Sequence, residues 1–287
     1  MDLSDFHTVQ GILNRNGFHF SHALGQNFIV SPAVCPKMAE LCGADRKAGV
    51  LEIGPGVGVL TRELAKRAGR VVAVELDRRL EPVLRETLAD CPNVELVWGD
   101  AMKQDLAGLI RKKFAGQSAY LCANLPYYIT SPLIMRVLEE KTPVRAMTVM
   151  VQKEAADRLC AEPGTRACGA VSAAVRYYSE PTPLFSVPRS CFFPKPNVDS
   201  TVVRMDILQE PPVDVPSEKA FFAVVKAAFS MRRKTAVNSI SAGLCLPKSR
   251  VAQVFADIEI APAARAEQLT MKEFAALAAA LSGKDRF

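Results

Sequence analysis

The sequence has 287 residues, 49% hydrophobic and 23% charged, which is enough for a core and too balanced for a disordered chain. No apolar run reaches the roughly 18 residues of a membrane span, and the opening MDLSDFHTVQ lacks the basic-then-apolar layout of a signal peptide, so a cytoplasmic protein is expected. All three histidines fall in the first 22 residues and none of the eight cysteines forms a Cys-x-x-Cys pair, which excludes a Ser-His-Asp triad in the body of the chain and argues against zinc; the net charge of +6 leans weakly toward a polyanionic partner.

From residue 49 short apolar runs alternate with helical stretches. GVLEIG reads as a strand and LTRELAKRA as a helix; VVAVEL, VELVWGD and AYLCAN are further strands, with RRLEPVLRETLAD helical between the first two. A helical TSPLIMRVLEE, a strand RAMTVMVQ and a helix from Lys153 to about Cys160 follow, then two strand-like segments, SAAVRYYSEPTPLFSV and STVVRMDIL. Such alternation predicts an α/β fold with a mostly parallel sheet and helices on both faces. The composition changes at QEPPVDVPSE, residues 209–218, where three prolines and three acids mark a domain edge. Beyond it KAFFAVVKAAFSM, RVAQVFADI and MKEFAALAAAL read as helices. An α/β domain over 1–210 and a small all-helical domain over 211–287 are expected.

Glu52-Ile53-Gly54-Pro55-Gly56-Val57-Gly58 sits where the first of these strands meets its helix. Glycines there let the backbone approach a ligand beyond the carboxyl end of a parallel sheet. The spacing is Gly-x-Gly-x-Gly, a poor match to the Gly-x-Gly-x-x-Gly of a dinucleotide site. Glu75 ends the next strand about twenty residues on, where an acid can hold a ribose diol. Asp100 follows the third strand, placed to accept from an adenine amino group. Together they describe a pocket for an adenosine without a phosphate clamp, which suits S-adenosylmethionine better than NAD or ATP.

EIGPGVGVLT, VELD, GDA and NLPY, in this order and spacing, resemble the ribosomal RNA adenine dimethyltransferases. His22-Ala23-Leu24-Gly25-Gln26-Asn27-Phe28 is similar to that family's N-terminal motif, and Phe192-Phe193-Pro194-Lys195-Pro196 to its late aromatic motif. The resemblance runs from about residue 20 to the C-terminus. It implies a class I, Rossmann-like S-adenosylmethionine-dependent methyltransferase. By the same resemblance Gln26, Asn27 and Ile29 close over the cofactor, Gly54 and Gly56 admit its methionine part, Glu75 holds the ribose, Asp100 with Ala101 holds the adenine, and Asn124 borders both cofactor and substrate.

Asn124-Leu125-Pro126-Tyr127 ends the fourth strand and carries the expected chemistry. An adenine N6 amine is a poor nucleophile because its lone pair is delocalised into the ring. Two acceptors, the Asn124 side-chain carbonyl and the Leu125 backbone carbonyl, would draw it toward a tetrahedral shape, and Pro126 would stiffen the turn that presents them. The target base must leave its stack, and Tyr127 with Phe192 would sandwich it, with Phe193 as an alternate and Tyr128 left to packing. Lys195, Arg232, Arg233 and Lys234 are the expected RNA phosphate contacts; from residue 211 on, eleven Lys and Arg face seven Asp and Glu, a net of +4. His22 and Ala23 stand where the family carries basic residues, so a weaker or rearranged N-terminal RNA contact is expected.

The helical C-terminal domain and Arg265-Ala266-Glu267-Gln268-Leu269-Thr270 resemble the small-subunit type. That type dimethylates two adjacent adenosines in the hairpin near the 3′ end of 16S rRNA. The expected partner is 16S rRNA within an immature small ribosomal subunit, and the enzyme is expected to act as a monomer without metal. The alternatives are the large-subunit enzyme of macrolide resistance, an RNA-binding ribosome assembly factor with secondary catalysis and, more remotely, a DNA adenine methyltransferase.

Overall fold

The structure, a computed structural model, describes residues 2–21 and 25–282, so His22, Ala23 and Leu24 of the N-terminal motif lie outside the described residues. By packing, the chain divides into two compact units, Met1–Ala156 with Glu180–Ile207, and Asp157–Ser179 with Leu208–Phe287. The division expected at residue 210 therefore differs in one respect: the segment 157–179 packs with the C-terminal helices.

The first unit opens with α1 (Phe6–Arg15), whose N-terminus is capped by Asp5 Oδ2 accepting from the Thr8 amide at 2.8 Å. There follow β1 (Phe28–Ile29), α2 (Val34–Leu41), β2 (Gly49–Ile53), α3 (Val59–Arg67), β3 (Arg70–Glu75), α4 (Glu81–Thr87) and β4 (Val94–Trp98). Next come α5 (Leu106–Phe114), β5 (Ala119–Asn124), α6 (Thr130–Glu139) and β6 (Ala146–Gln152). The chain then passes through α7 (Lys153–Leu159) into α8 (Ala170–Tyr178) of the second unit, and returns as β7 (Ser179–Val187), β8 (Phe192–Phe193) and β9 (Ser200–Ile207).

The main sheet has the order β4-β3-β2-β5-β6-β9-β7. β2 to β6 pair in parallel, and β9 runs antiparallel to β6, with Gln152 opposite Ser200. Every residue of β2 is buried, as are all of β3 after Arg70, which is why these strands are apolar apart from Glu52 and Glu75 near their carboxyl ends. On one face Val50, Cys122, Met150 and Val202 meet Met38 of α2 and Leu64 of α3. On the other, the Phe114 ring of α5 covers Gly49 so closely that a Cβ there would lie 2.3 Å from it. A separate ribbon pairs β1 with β8, placing Phe28 opposite Phe193 and Ile29 opposite Phe192.

SAAVRYYSEPTPLFSV is strand-like in pattern, yet its first half is helix α8 and the strand begins only at Ser179. The Gly169 amide donates to Ser172 Oγ at 2.9 Å at the helix start, and the Tyr177 ring stacks on Phe221 at 4.9 Å in the second unit's core. Burial of one helical face there outweighs the β preference of Val175, Tyr177 and Tyr178.

The second unit also holds α9 (Glu218–Ala228), α10 (Ala236–Gly243), α11 (Lys248–Asp257) and α12 (Met271–Leu281) around Phe221, Ile240, Phe255 and Phe274. Ser217, Thr235 and Thr270 cap α9, α10 and α12. Among the described residues no helix is long and apolar enough to cross a membrane.

Candidate active site

Chain order reverses between β2 and β5, and ligands bind open α/β sheets beyond the carboxyl ends of the strands at such a reversal. The loops after β2, β3, β4 and β5 open there onto one cleft of about 1230 Å³, its mouth included. Every residue that the sequence places at the cofactor or at the target amine lines it, the alternate Phe193 excepted. Its described lining includes three acids, Glu52, Glu75 and Asp100, and no Lys or Arg. Such a lining disfavours a phosphorylated ligand and suits a cationic one.

At the cofactor end, Gly54 takes φ +72° and Gly56 φ +59°, in the left-handed region that side chains rarely adopt. A Cβ on Gly54 would meet no atom within 4 Å, so its backbone faces open space; one on Gly56 would come within 3.0 Å of the Phe28 ring. Glu75 closes β3 at 7% exposure. Its Oε1 accepts the Asp77 amide at 2.8 Å and its Oε2 the Gly56 amide at 3.4 Å, while burial raises the carboxyl above its usual range. Asp100 Oδ1 accepts the Met102 amide at 2.9 Å, and Oδ2 lies 3.9 Å from Lys103 Nζ.

Gln26 is a clasp. Its Nε2 donates to Asp77 Oδ2 at 2.8 Å and its Oε1 accepts the Ser21 amide at 2.9 Å, so both amide atoms already have protein partners. Asp77 is also gripped by Arg79, which holds its carboxyl below the usual carboxylate range. Glu52, in the sequence only the acid ahead of the glycines, is 1% exposed, and its Oε2 has no hydrogen-bond partner among the described residues. Burial, aided by the Glu75 charge, pushes its carboxyl up to about 8.

At the end of β5, Asn124 Nδ2 donates to the Asn27 carbonyl at 3.3 Å. That bond commits the amide nitrogen and leaves Oδ1 as the free acceptor. Leu125 donates its amide to the Met150 carbonyl at 3.3 Å, and its own carbonyl takes no bond from a described residue. The Pro126 carbonyl is occupied instead, by the Ile129 amide at 3.1 Å and Thr130 Oγ1 at 3.2 Å, which fixes the turn into α6. Tyr127 is half-buried with its hydroxyl 3.4 Å from Ser200 Oγ, and Phe192 is buried at 4% exposure.

Two aromatic assignments change. Phe193 lies across the β1–β8 ribbon, packed edge-on against Phe6 at 4.7 Å and Phe20 at 5.2 Å, and does not line the cleft. Tyr128, expected in packing, is 55% exposed and does line it. Alternation along a strand separates Phe192 from Phe193, whereas nothing in the Tyr-Tyr pair itself tells which ring is buried. Lys195 is exposed between β8 and β9; Arg232, Arg233 and Lys234 are exposed in the turn between α9 and α10 of the second unit. None of these four lines the cleft.

Residues 17–282 match the family model for ribosomal RNA adenine dimethylase. A ribosomal RNA small subunit methyltransferase A of Alkaliphilus oremlandii is 47% identical over 274 residues, 95% of this chain and 96% of the relative. The protein of that name from a Geobacillus species is 44% identical over 94% of each chain. Among solved structures, the 23S rRNA methyltransferase ErmE superposes at a TM-score of 0.69 with 26% identity, over 88% of this chain and 99% of its own. A dimethyladenosine transferase from Plasmodium falciparum gives 0.73 at 24% identity, over 87% and 95%, a likeness of fold.

Proposed function

The chain belongs to the ribosomal RNA adenine dimethylases, and on that premise we propose how its cleft works and on which RNA. It is an S-adenosylmethionine-dependent rRNA adenine N6,N6-dimethyltransferase of the small-subunit type. Its targets are two adjacent adenosines in the 3′-terminal hairpin of 16S rRNA, presented in an immature small subunit, and it acts as a monomer in the cytoplasm. The observation that carries the reading is one cleft, without Lys or Arg in its described lining, that holds Glu75, Asp100 and the oriented Asn124 amide.

The bound cofactor supplies an electrophilic methyl group on a positively charged sulfur. Glu75 accepts from the ribose hydroxyls, and the second oxygen of Asp100 accepts from the adenine amino group beside Ala101. The open backbone at Gly54 admits the methionine part, Gly56 carries the turn past the Phe28 ring, and Glu52 Oε2, without a partner among the described residues, offers a polar atom at that end. Gln26 holds the N-terminal strap to Asp77, while Asn27 and Ile29 close the near wall.

Asn124 Oδ1 and the Leu125 carbonyl accept the two N–H groups of the target amine and draw its lone pair out of the ring. Tyr127 and Phe192 hold the flipped base between them, worth about 1–3 kcal/mol per stacked base. Catalysis on this account is orientation and electrostatics, with no histidine base. Lys195, Arg232, Arg233 and Lys234 hold phosphates and set register without reading sequence.

Labelled S-adenosylmethionine offered with immature small subunits, naked 16S rRNA and naked 23S rRNA tests this. Dimethyladenosine at adjacent positions near the 16S 3′ end, made best on immature subunits, is the expected product. The likeness to ErmE over most of both chains supports a second reading, large-subunit RNA as substrate. Label in 23S rRNA would select it, and bound cofactor with no label in either RNA would make the protein an assembly factor.

A further inference from the structure

Arg136 lies on α6, two turns beyond the Asn124–Tyr127 segment, and neither touches the cleft nor follows from any of the motifs. Its side chain is 19% exposed and reaches across to the loop after β4. Nη1 donates to the Ala101 carbonyl and Nη2 to the Gln104 carbonyl, each at 2.8 Å, while Nε donates to Glu140 at 2.8 Å. That loop carries Asp100.

The rest of the loop's bonding is local or comes from the other side. Asp100 Oδ1 accepts the Met102 amide, and the Asp100 carbonyl accepts the Lys103 and Gln104 amides at 2.9 and 3.0 Å. The Gly99 amide donates to the Glu75 carbonyl at 2.8 Å. One flank of the loop is thus fixed to β3, and Arg136 ties the far flank to α6. A planar fork holds two separate carbonyls with donors fixed in direction, whereas the three donors of an ammonium rotate about a single nitrogen.

We propose that Arg136 is a positioning residue that holds the Ala101–Gln104 loop and so sets the Asp100 carboxylate for the cofactor's adenine. This rests on Asp100 accepting from the adenine amino group. The helix that starts at the amine clamp thereby fixes the adenine end of the cofactor site as well. Both halves of the cleft are referenced to one rigid element.

The test compares S-adenosylhomocysteine with S-inosylhomocysteine, whose 6-oxo group cannot donate to Asp100, by titration calorimetry without RNA. The unsubstituted protein should prefer the adenosyl ligand by about tenfold or more, the worth of one hydrogen bond to a charged group. Arg136→Ala should bind the adenosyl ligand about tenfold more weakly and lose most of that preference. Arg136→Lys, which keeps charge and helix propensity, should lose part of it and serves if the alanine variant does not fold. Asp100→Ala should also lose the preference. If both Arg136 variants melt lower but keep the full preference, Arg136 only stabilises the fold and the proposal fails. If the unsubstituted protein shows no preference, the Asp100 reading fails and the proposal falls with it.

Discussion

Asn124 can serve as an acceptor only if its amide points one way, and the Asn27 carbonyl decides which. Asn124→Ala should cut methyl incorporation at least about 100-fold, the scale for losing one preorganised polar group, with calorimetric cofactor affinity within a few-fold. Asn124→Asp should fail as well, because a carboxylate oxygen would face that carbonyl. Glu52 makes a prediction about pH. Its carboxyl is protonated in the folded protein up to about pH 8, whereas an unfolded glutamate ionises near its ordinary value of 4.5. Between these values the folded state holds the extra proton, so this contribution is complete below pH 4.5 and is lost as pH rises through 8. Urea midpoints should show that component, about 1.4 kcal/mol per pH unit inside the window, disappear in Glu52→Gln. Equal pH slopes for the two proteins would mean that Glu52 ionises normally. At this scale the sequence revealed residue types at strand ends, such as Glu75, Asp100 and Asn124. It did not reveal hydrogen-bond direction, which makes Gln26 a clasp, nor the burial that isolates Glu52.

Elements were legible where their apolar period was long and their partners near in sequence. β2 to β6 and α3, α4 and α6 follow from runs and spacings, most plainly β3 and β6, whose burial on both faces demands a largely apolar run. α1 and α10 carried no comparable signal, since each buries only a few residues, α1 against partners distant in the chain such as Val83 and Leu84. α10 also approaches α9 closely: a Cβ on Gly243 would lie 2.7 Å from the Ala227 Cβ and 2.9 Å from its Cα. Gly243→Ala should therefore destabilise the second unit. Overpacking costs about 1–3 kcal/mol, against roughly 1 kcal/mol regained in helix propensity, so the urea midpoint should fall. A rise would show that the two helices part without cost.

For the whole molecule, the expected RNA contacts are charges displayed outside the cleft. Replacing Arg232, Arg233 and Lys234 together by glutamine should lower RNA affinity and flatten its dependence on log salt by roughly two units, at about 0.7–0.9 per lost phosphate contact. Cofactor affinity should not change, because none of the three lines the cleft; an unaltered salt slope would remove this turn from the RNA surface. The sequence by itself determined the α/β class, the order of the motifs, the acids at successive strand ends and the Asn124–Tyr127 segment that ends β5. Those features are local: a strand, its terminal residue and the following turn lie next to one another in the chain. Only the tertiary structure decided that residues 157–179 pack with the C-terminal helices, that Tyr128 faces the cleft and Phe193 does not, and that Arg136 ties α6 to the Asp100 loop. Each depends on contacts between residues far apart in sequence, whose energy exists only once the chain has folded.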